Sequence, residues 1–375
     1  MKHSPPYRAD HVGSLLRPAE VQKARASFSQ NEIGSEELAE IEDAAIKRII
    51  ARQESIGLQS VTDGEIRRET WLGDFLLGLD GTTAVVYESS LQPHREKSES
   101  KGKPHKINRI TGKIGFSSHP MIEHFRFLNQ HTKHTAKMTI PAPAMLLSAS
   151  RDWRQVVDRD VYPDINEFYH DVGITYRDVV RAFYDAGCRY LQFDDVNLAY
   201  FCDPDIRKQL ESRGDHPDEM LEKWISVVET AISGRPADMH ITTHICRGNF
   251  RSKWFVQGGY EPIAERLFNR FDYNGYFLEY DTDRAGSFEP LRFLPKGAKA
   301  VVLGLVTTKS GELEDRAKIK ARIEEAAEYV SLDQLCLSPQ CGFASTEEGN
   351  LLTEEEQWDK LALIVDVASE VWPDA

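Results

Sequence analysis

The feature that most constrains the fold is a rhythm. Short β-branched or apolar runs alternate with longer amphipathic segments along almost the whole chain. Eight runs have the length of a strand: Arg8–Gly13, Ser60–Glu65, Met138–Ala142, Tyr190–Val196, Met239–Cys246, Tyr276–Asp281, Ala298–Thr307 and Leu332–Ser338. Between and after them lie helical patterns at Ser35–Ile56, Ile165–Ala186, Pro217–Ile232, Glu261–Phe271, Glu314–Tyr329 and Glu354–Val371. Local signals agree. Asp164 precedes Glu167, and Thr353 precedes Glu356, at the spacing of a helix-capping pair. Gly187 sits where a helix would end before the next strand.

Strands separated by helices imply parallel βαβ units. Eight of them, with no Gly-rich phosphate loop at the start, predict an α/β fold, a single closed (β/α)8 TIM barrel over residues 1–375. The chain is 375 residues long, more than the roughly 250 such a barrel needs. The excess has an address. Residues 83–116 carry β-type flanks, Ala84–Tyr87 and Arg109–Ile114, around a Lys/Ser-rich centre, His94–His105. This pattern predicts a protruding β-hairpin inserted after the second unit.

Composition removes several functions. With 46 basic and 60 acidic residues the formal net charge is -14, the wrong sign for a protein that binds by neutralising phosphates. Nucleic acid and anionic membranes are therefore not expected as partners. No run approaches the roughly 18 to 20 apolar residues of a membrane span, and MKHSPPYRAD has no apolar core of a secretory leader. Five cysteines, an odd number in a chain this long, suggest a reducing compartment rather than a disulfide scaffold, so a cytoplasmic location is expected. Homo-oligomer formation is left open.

The residues with the sharpest chemistry lie at three of the strand ends. His244 and Cys246 form an H-x-C at the end of the fifth run, Glu279 is near the end of the sixth, and Cys341 follows the eighth. Alternate strand residues face the same way, so His244 and Cys246 can address one point. Imidazole, two thiolates and a carboxylate are ligand types preferred by Zn2+ rather than Mg2+ or Ca2+. Singly, each would more often be a packed core residue. A second group is acidic: Asp63-Gly64-Glu65 ends the second run and Asp194-Asp195 the fourth. Carboxylates on apolar strands need a cation or donors. Asp195 reads equally as a helix cap, whereas Glu65 and Asp194 suit a substrate ammonium group. A third group, His11-Val12-Gly13-Ser14 with Arg17, ends the first run. Here His11 is a candidate catalytic group or else a packed strand residue. Cys188 and Cys336 read as core, Cys202 with Asp203 and Asp205 as a loop cluster, and Trp254-Phe255 as a lid or a packed loop.

Taken together, the H-x-C, the later Glu279 and the P-x-C-G at 339–342 resemble the catalytic barrel of cobalamin-independent methionine synthases. So do Gly13-Ser14, Gly64-Glu65 and Gln192-Phe193-Asp194-Asp195. The likeness is greatest to the short, single-barrel branch, methionine synthase II. It implies a (β/α)8 fold and a zinc ion held by His244, Cys246, Glu279 and Cys341. It also implies that Glu65 and Asp194 bind the amino group of homocysteine, with Ser14 near its carboxylate. The expected activity is methyl transfer to the homocysteine thiol, giving methionine.

The chain departs from the family pattern in three places. It lacks the other barrel of full-length members, which leaves methyl-folate and methyl-corrinoid both open as donor. It has Asp195-Val196 where the family has Glu-Pro. It has Thr307-Thr308-Lys309 where the family places a general-acid His, and Lys309 would fill that role only if burial lowered its pKa. Rival readings are a zinc alkyltransferase or lyase acting on another thiol such as coenzyme M, and a non-catalytic metal or methyl-carrier binding protein. A decarboxylase would have no use for the H-x-C.

Overall fold

A computed structural model describes residues 4–86 and 106–373. Its strands are β1 (Ser60–Val61), β2 (Asp80–Val86), β3 (Lys106–Gly115), β4 (Thr135–Pro141), β5 (Tyr190–Asp195), β6 (His240–Ile245), β7 (Gly275–Glu279), β8 (Ala300–Val306) and β9 (Leu335–Pro339). Seven of them form one curled parallel sheet in the order β1-β4-β5-β6-β7-β8-β9. From β5 to β9 nearly every residue is buried, as expected of parallel strands covered on both faces. The Ala-Val-Val-Leu-Gly-Leu-Val run of β8 shows why: it has no polar side to turn to water.

Helices cover the sheet with one apolar stripe each. Ile165–Asp185 buries Phe168, Val172, Tyr176, Val179 and Phe183, a helical spacing. It also brings Gly173 so close to Pro217–Ile232 that an added Cβ would lie 2.9 Å from the Thr230 Cβ. Asp164 caps the first of these helices through the Asn166 N–H, and Thr353 with Glu356 forms the full capping box of Glu354–Val371. Three helices not foreseen from the sequence, Ala19–Ser29, Pro120–His131 and Pro204–Ser212, complete the layer.

The expected first strand forms only a single bridge, Ala9 to Leu337 of β9. Its polar residues explain this. The Asp10 N–H donates to Leu337 O at 3.0 Å, but on the other side Asp10 and Gly13 meet β1 and the residue after it through side chains. Ser60 Oγ donates to Asp10 Oδ1 at 2.8 Å and Thr62 Oγ1 to Gly13 O at 2.7 Å. Likewise β1 stops after two residues because Gly64 and Glu65 turn with φ of 67° and 58°.

Inside the curl sits a charged pair. Lys137 of β4 lies 3.2 Å from Asp10, both wholly buried. Asp10 also accepts from the Tyr190 hydroxyl at 2.8 Å and from two backbone N–H groups, those of Tyr7 and His11. Lys137 Nζ donates to His11 O at 2.5 Å and lies over the Phe277 ring. Burial pushes the Asp10 carboxyl up, but Lys137 and the hydrogen bonds outweigh it, so the net shift is downward.

β2 and β3 form a separate antiparallel pair with Ala84 opposite Asn108. The Lys/Ser-rich tip expected at His94–His105 lies outside the described residues. The base is anchored: the Ile114 N–H donates to the Tyr162 hydroxyl and the Asp158 N–H to Ile110 O. Among the described residues no helix is long and apolar enough to cross a membrane.

Removing one member of a buried ion pair strands the other charge, at a cost of about 3–5 kcal/mol. Lys137→Met should therefore lower the unfolding free energy by that amount in a urea titration. The double variant with Asp10→Asn should lose less than the two single losses added, because it leaves no bare charge. Strict additivity would show that the two residues do not act as a pair.

Candidate metal centre

The C-terminal ends of β6, β7 and β9 converge on one point. His244 lies within β6 and Cys246 just beyond it, its N–H continuing the ladder to Asp195 O at 2.8 Å. Glu279 ends β7, and Cys341 follows β9 by two residues. One donor atom from each of the four lies within 4.8 Å of all the others, and all four residues are buried.

Their chemistry is incomplete as it stands. Neither ring nitrogen of His244 has a hydrogen-bond partner, although the residue is buried. The Cys246 and Cys341 sulfurs are 3.5 Å apart and are unbonded thiols. The proton they share holds Cys341 well below the ordinary thiol range, with His244 adding to the effect, and drives Cys246 well above it. Burial pushes His244 down, yet the neighbouring Cys341 thiolate reverses this and the net shift is upward. Two thiolates so close need a cation between them to be ionised together. Sulfurs at about 2.3 Å from a tetrahedral zinc would lie about 3.8 Å apart, near the spacing found. The donor set fits a borderline-soft divalent metal.

The surrounding chain fixes each donor. Glu279 Oε1 accepts from the Arg247 backbone N–H at 2.7 Å, and Oε2 faces Arg284 at 3.0 Å and Gln340 at 3.4 Å. Gln340 is itself held by Thr308, whose N–H and hydroxyl both donate to Oε1 at 2.7 Å. Next to Cys341, a Cβ on Gly342 would lie 1.9 Å from Ser14 Oγ, so a larger residue there would displace the Ser14 hydroxyl.

A cavity of about 20 Å3 opens from the cluster towards an acidic end, walled by Ser14, Glu65, Trp71, Asp194 and Ser345. Thus Ser14, Glu65 and Asp194, singled out in the sequence, share one cavity with His244, Cys246 and Cys341. Glu65 accepts from Thr139 Oγ1 at 2.7 Å and faces Arg68 at 3.4 Å. Asp194 accepts from Gln192 at 2.7 Å, and burial, reinforced by Glu65 and opposed by His244, pushes it up to about 7. Asp195 points elsewhere: its Oδ1 caps a helical turn through the Leu198 N–H.

The two candidate proton-transfer groups part company. Lys309 Nζ is buried without a hydrogen-bond partner and is close enough to Cys341 and Asp281 to bias their ionisation. His11 is not on the cavity wall. Its ring lies against Ser60 and Gln53, and burial, with Lys137 adding, pushes it down to about 4.

Cys188, Cys202 and Cys336 are buried away from the cluster, and Asp203 caps the helix Pro204–Ser212. Trp254 and Phe255 are half-buried in a packed loop, with Phe255 against Gly248. Sequence reasoning missed Arg68, Arg284, Gln340 and Trp71. Only Gln340, beside Cys341, lay within a recognised motif.

The model of the family described as "Cobalamin-independent synthase, Catalytic domain" matches residues 8–370. The chain belongs to this family. It is 48% identical over 373 residues to the uncharacterized protein YxjG of Bacillus subtilis, covering 99% of this chain and 96% of that one. The uncharacterized YxjH of the same organism is 46% identical over 368 residues, covering 98% and 95%. A Listeria monocytogenes structure, provisionally named a vitamin-B12 independent methionine synthase, is 42% identical with a TM-score of 0.78, covering 98% of this chain and 99% of that one. A B12-independent methionine synthase from Shewanella sp. W3-18-1, solved with selenomethionine, shares the fold at 17% identity and a TM-score of 0.72, covering 98% and 97%. This family membership makes the chain a methyltransferase-type enzyme of the cobalamin-independent class.

If the four donors hold one ion, Cys341→Ser should cut bound metal at least about tenfold, measured by elemental analysis after dialysis, with the far-UV circular dichroism unchanged. Full metal retention would remove Cys341 from the set. For His11 the unfolded chain takes up a proton near pH 6.5 that the folded chain refuses until about 4. Stability should therefore fall as pH drops from 6.5 towards 4, by about 2 kcal/mol between pH 7 and 5. His11→Gln should lack that component, and an identical acid slope in both proteins would refute it.

Proposed function

We propose that this chain is a zinc-dependent S-methyltransferase that methylates the thiol of homocysteine to give methionine, working in the cytoplasm. We read residues 1–375 as one (β/α)8 barrel, closed where residues 8–13 bridge β9 and β1, with residues 83–116 as its protruding insertion. One observation carries the functional reading: His244, Cys246 and Cys341 of the His/Cys/Glu/Cys cluster line the same cavity as a pair of carboxylates, Glu65 and Asp194. The first suits a thiol and the second an ammonium group, and homocysteine carries both. A sulfonate thiol such as coenzyme M would meet two acids where it needs cations. A 5-methyltetrahydropteroyltriglutamate–homocysteine methyltransferase of Bacillus velezensis is 23% identical over 96% of this chain, but this chain spans only 42% of it. The methyl donor is therefore read by class, a methyl-folate or a methyl-corrinoid.

His244, Cys246, Glu279 and Cys341 would hold the zinc. When bound, zinc lowers the pKa of a thiol from about 8.5, so that the nucleophile exists at neutral pH. Everything else falls to side chains. Glu65 and Asp194 anchor the ammonium group, and Ser14 lies on the same wall for the carboxylate. This anchoring aims the sulfur at the methyl carbon, so attack and departure of the donor lie in line. Lys309, whose buried Nζ lies near Cys341, would hold the proton that the donor takes as it leaves. His11 is given no step, its ring lying against Ser60 and Gln53. The cavity is about 20 Å3, roughly the room of one water, so we read a wall as moving to admit homocysteine. The wall built from loops is the contact where the Trp71 N–H donates to Ser345 O at 3.0 Å. Closed again over the substrate, it would exclude water.

The test is metal content followed by zinc X-ray absorption with and without homocysteine. About one zinc per chain that gains a sulfur neighbour on adding homocysteine is expected. Zinc indifferent to homocysteine would overturn the acceptor, and no zinc after reducing reconstitution would overturn the reading. Asp194→Asn should weaken homocysteine binding about tenfold or more with zinc content unchanged. An unchanged affinity would take Asp194 out of the substrate site.

A further inference from the structure

Within the cluster, Glu279 stands apart because a fixed cation is paired with it. Arg284 Nη2 donates to Glu279 Oε2 at 3.0 Å and to Asp281 Oδ1 at 2.8 Å. Its Nη1 donates to Thr282 Oγ1 at 2.8 Å, and the guanidinium lies over the Trp254 ring at 5.6 Å. The Arg284 backbone is tied as well, its carbonyl accepting from the Gly258 N–H at 2.9 Å. With the Arg284 side chain 8% exposed and that of Glu279 fully buried, water screens this pair little. The arginine is thus clamped by a carboxylate, a hydroxyl and an indole.

Such a partner does two things to a carboxylate ligand. A guanidinium bonded to the carboxylate draws on its charge and makes it a weaker donor to a metal. A displaced carboxylate left alone in this interior would also be a bare buried charge, which is strongly disfavoured. Arg284 already sits where that charge would need its counter-ion, and the Arg247 N–H holds the other oxygen.

We propose that Arg284 is a positioning residue that keeps Glu279 an exchangeable ligand. This rests on the zinc and thiol reading above. When the thiol sulfur replaces Glu279 at the metal, the S–H proton goes to the buffer and the carboxylate remains on Arg284. No bond between Glu279 and the rest of the chain has to break.

The expectation runs against the usual effect of outer-shell partners, whose loss loosens metal binding by about 10–100-fold. In Arg284→Met, zinc affinity from competition with a chromophoric chelator should rise about tenfold, and homocysteine affinity of the zinc-loaded protein, by calorimetry, should fall about tenfold. Arg284→Lys, which retains the charge, should restore both towards wild type. Zinc binding that is weaker or unchanged in Arg284→Met, an unchanged homocysteine affinity, or no rescue by lysine would each overturn the proposal while leaving the zinc assignment standing. A wild-type protein that takes up no zinc would overturn both. Should Arg284→Met fail to fold, Arg284→Gln is measured against the same criteria, since it also lacks the charge.

Discussion

The contact between Lys137 and Asp10 governs much of what surrounds it. A parallel sheet of seven strands has two edges, and here the edges belong to β1 and β9. The segment carrying Asp10 runs between them, with backbone bonds to one side and side-chain bonds to the other. Asp10 could not sit in an apolar interior without a counter-charge, and Lys137 supplies it from β4. The same carboxylate accepts from Tyr190 on β5, so one buried charge binds the N-terminal segment to three strands. That network brings Val12, Gly13 and Ser14 alongside the loop after β9. Gly342 can then lie directly against the Ser14 hydroxyl. Cys341 is thereby held within reach of a sulfur on the far side of the sheet.

Much of this was legible in the sequence, and the parts that were not share a cause. Long helices such as Pro217–Ile232 and Glu354–Val371 were readable because their apolar faces and caps repeat a local rule. The set His244, Cys246, Glu279 and Cys341 was readable because strand alternation and strand ends are periodic. Arg8–Gly13 reads as a strand, yet Asp10 and Gly13 spend their polar groups on distant side chains, which no periodicity announces. The same holds for Arg68 and Arg284. Each lies in a turn just past a strand, where its role follows from the carboxylate it meets and not from its neighbours in the chain. His11 shows the reverse case. A histidine beside a Gly-Ser pair suggests chemistry, but strand alternation turns its ring outward to Gln53 while Val12 faces the cavity.

The cavity itself is best understood as a charge problem. Two thiols, Asp194 and Glu65 crowd around a space of about 20 Å3, with Glu279 beside the thiols. Of the buried cations behind them, Arg68 and Arg284 are committed. Arg68 spends Nη2 on Thr139 O and is 3.4 Å from Glu65. Arg284 is divided between Glu279 and Asp281. Arg247 lies over the Tyr260 ring, without a carboxylate hydrogen-bonded to its guanidinium. What remains on the cavity side is a surplus of acceptors. Asp194 shows that surplus directly, for burial and the nearby Glu65 lift it to about 7 despite the opposing pull of His244.

A site of that kind selects cations at both ends, and it selects different ones. The sulfur-rich end offers soft, polarisable donors at close spacing, which suits a metal and not an ammonium group. The other end offers carboxylate oxygens, one already bonded to Thr139 and one to Gln192, which suits a hydrogen-bonding ammonium group. Because His244 and Asp194 are register partners on adjacent strands, the two ends are held apart by the sheet itself and not by a flexible loop. On the function proposed above, a ligand that bridges them carries a thiol and an amine on one short chain. Its orientation would then be fixed before any donor arrives.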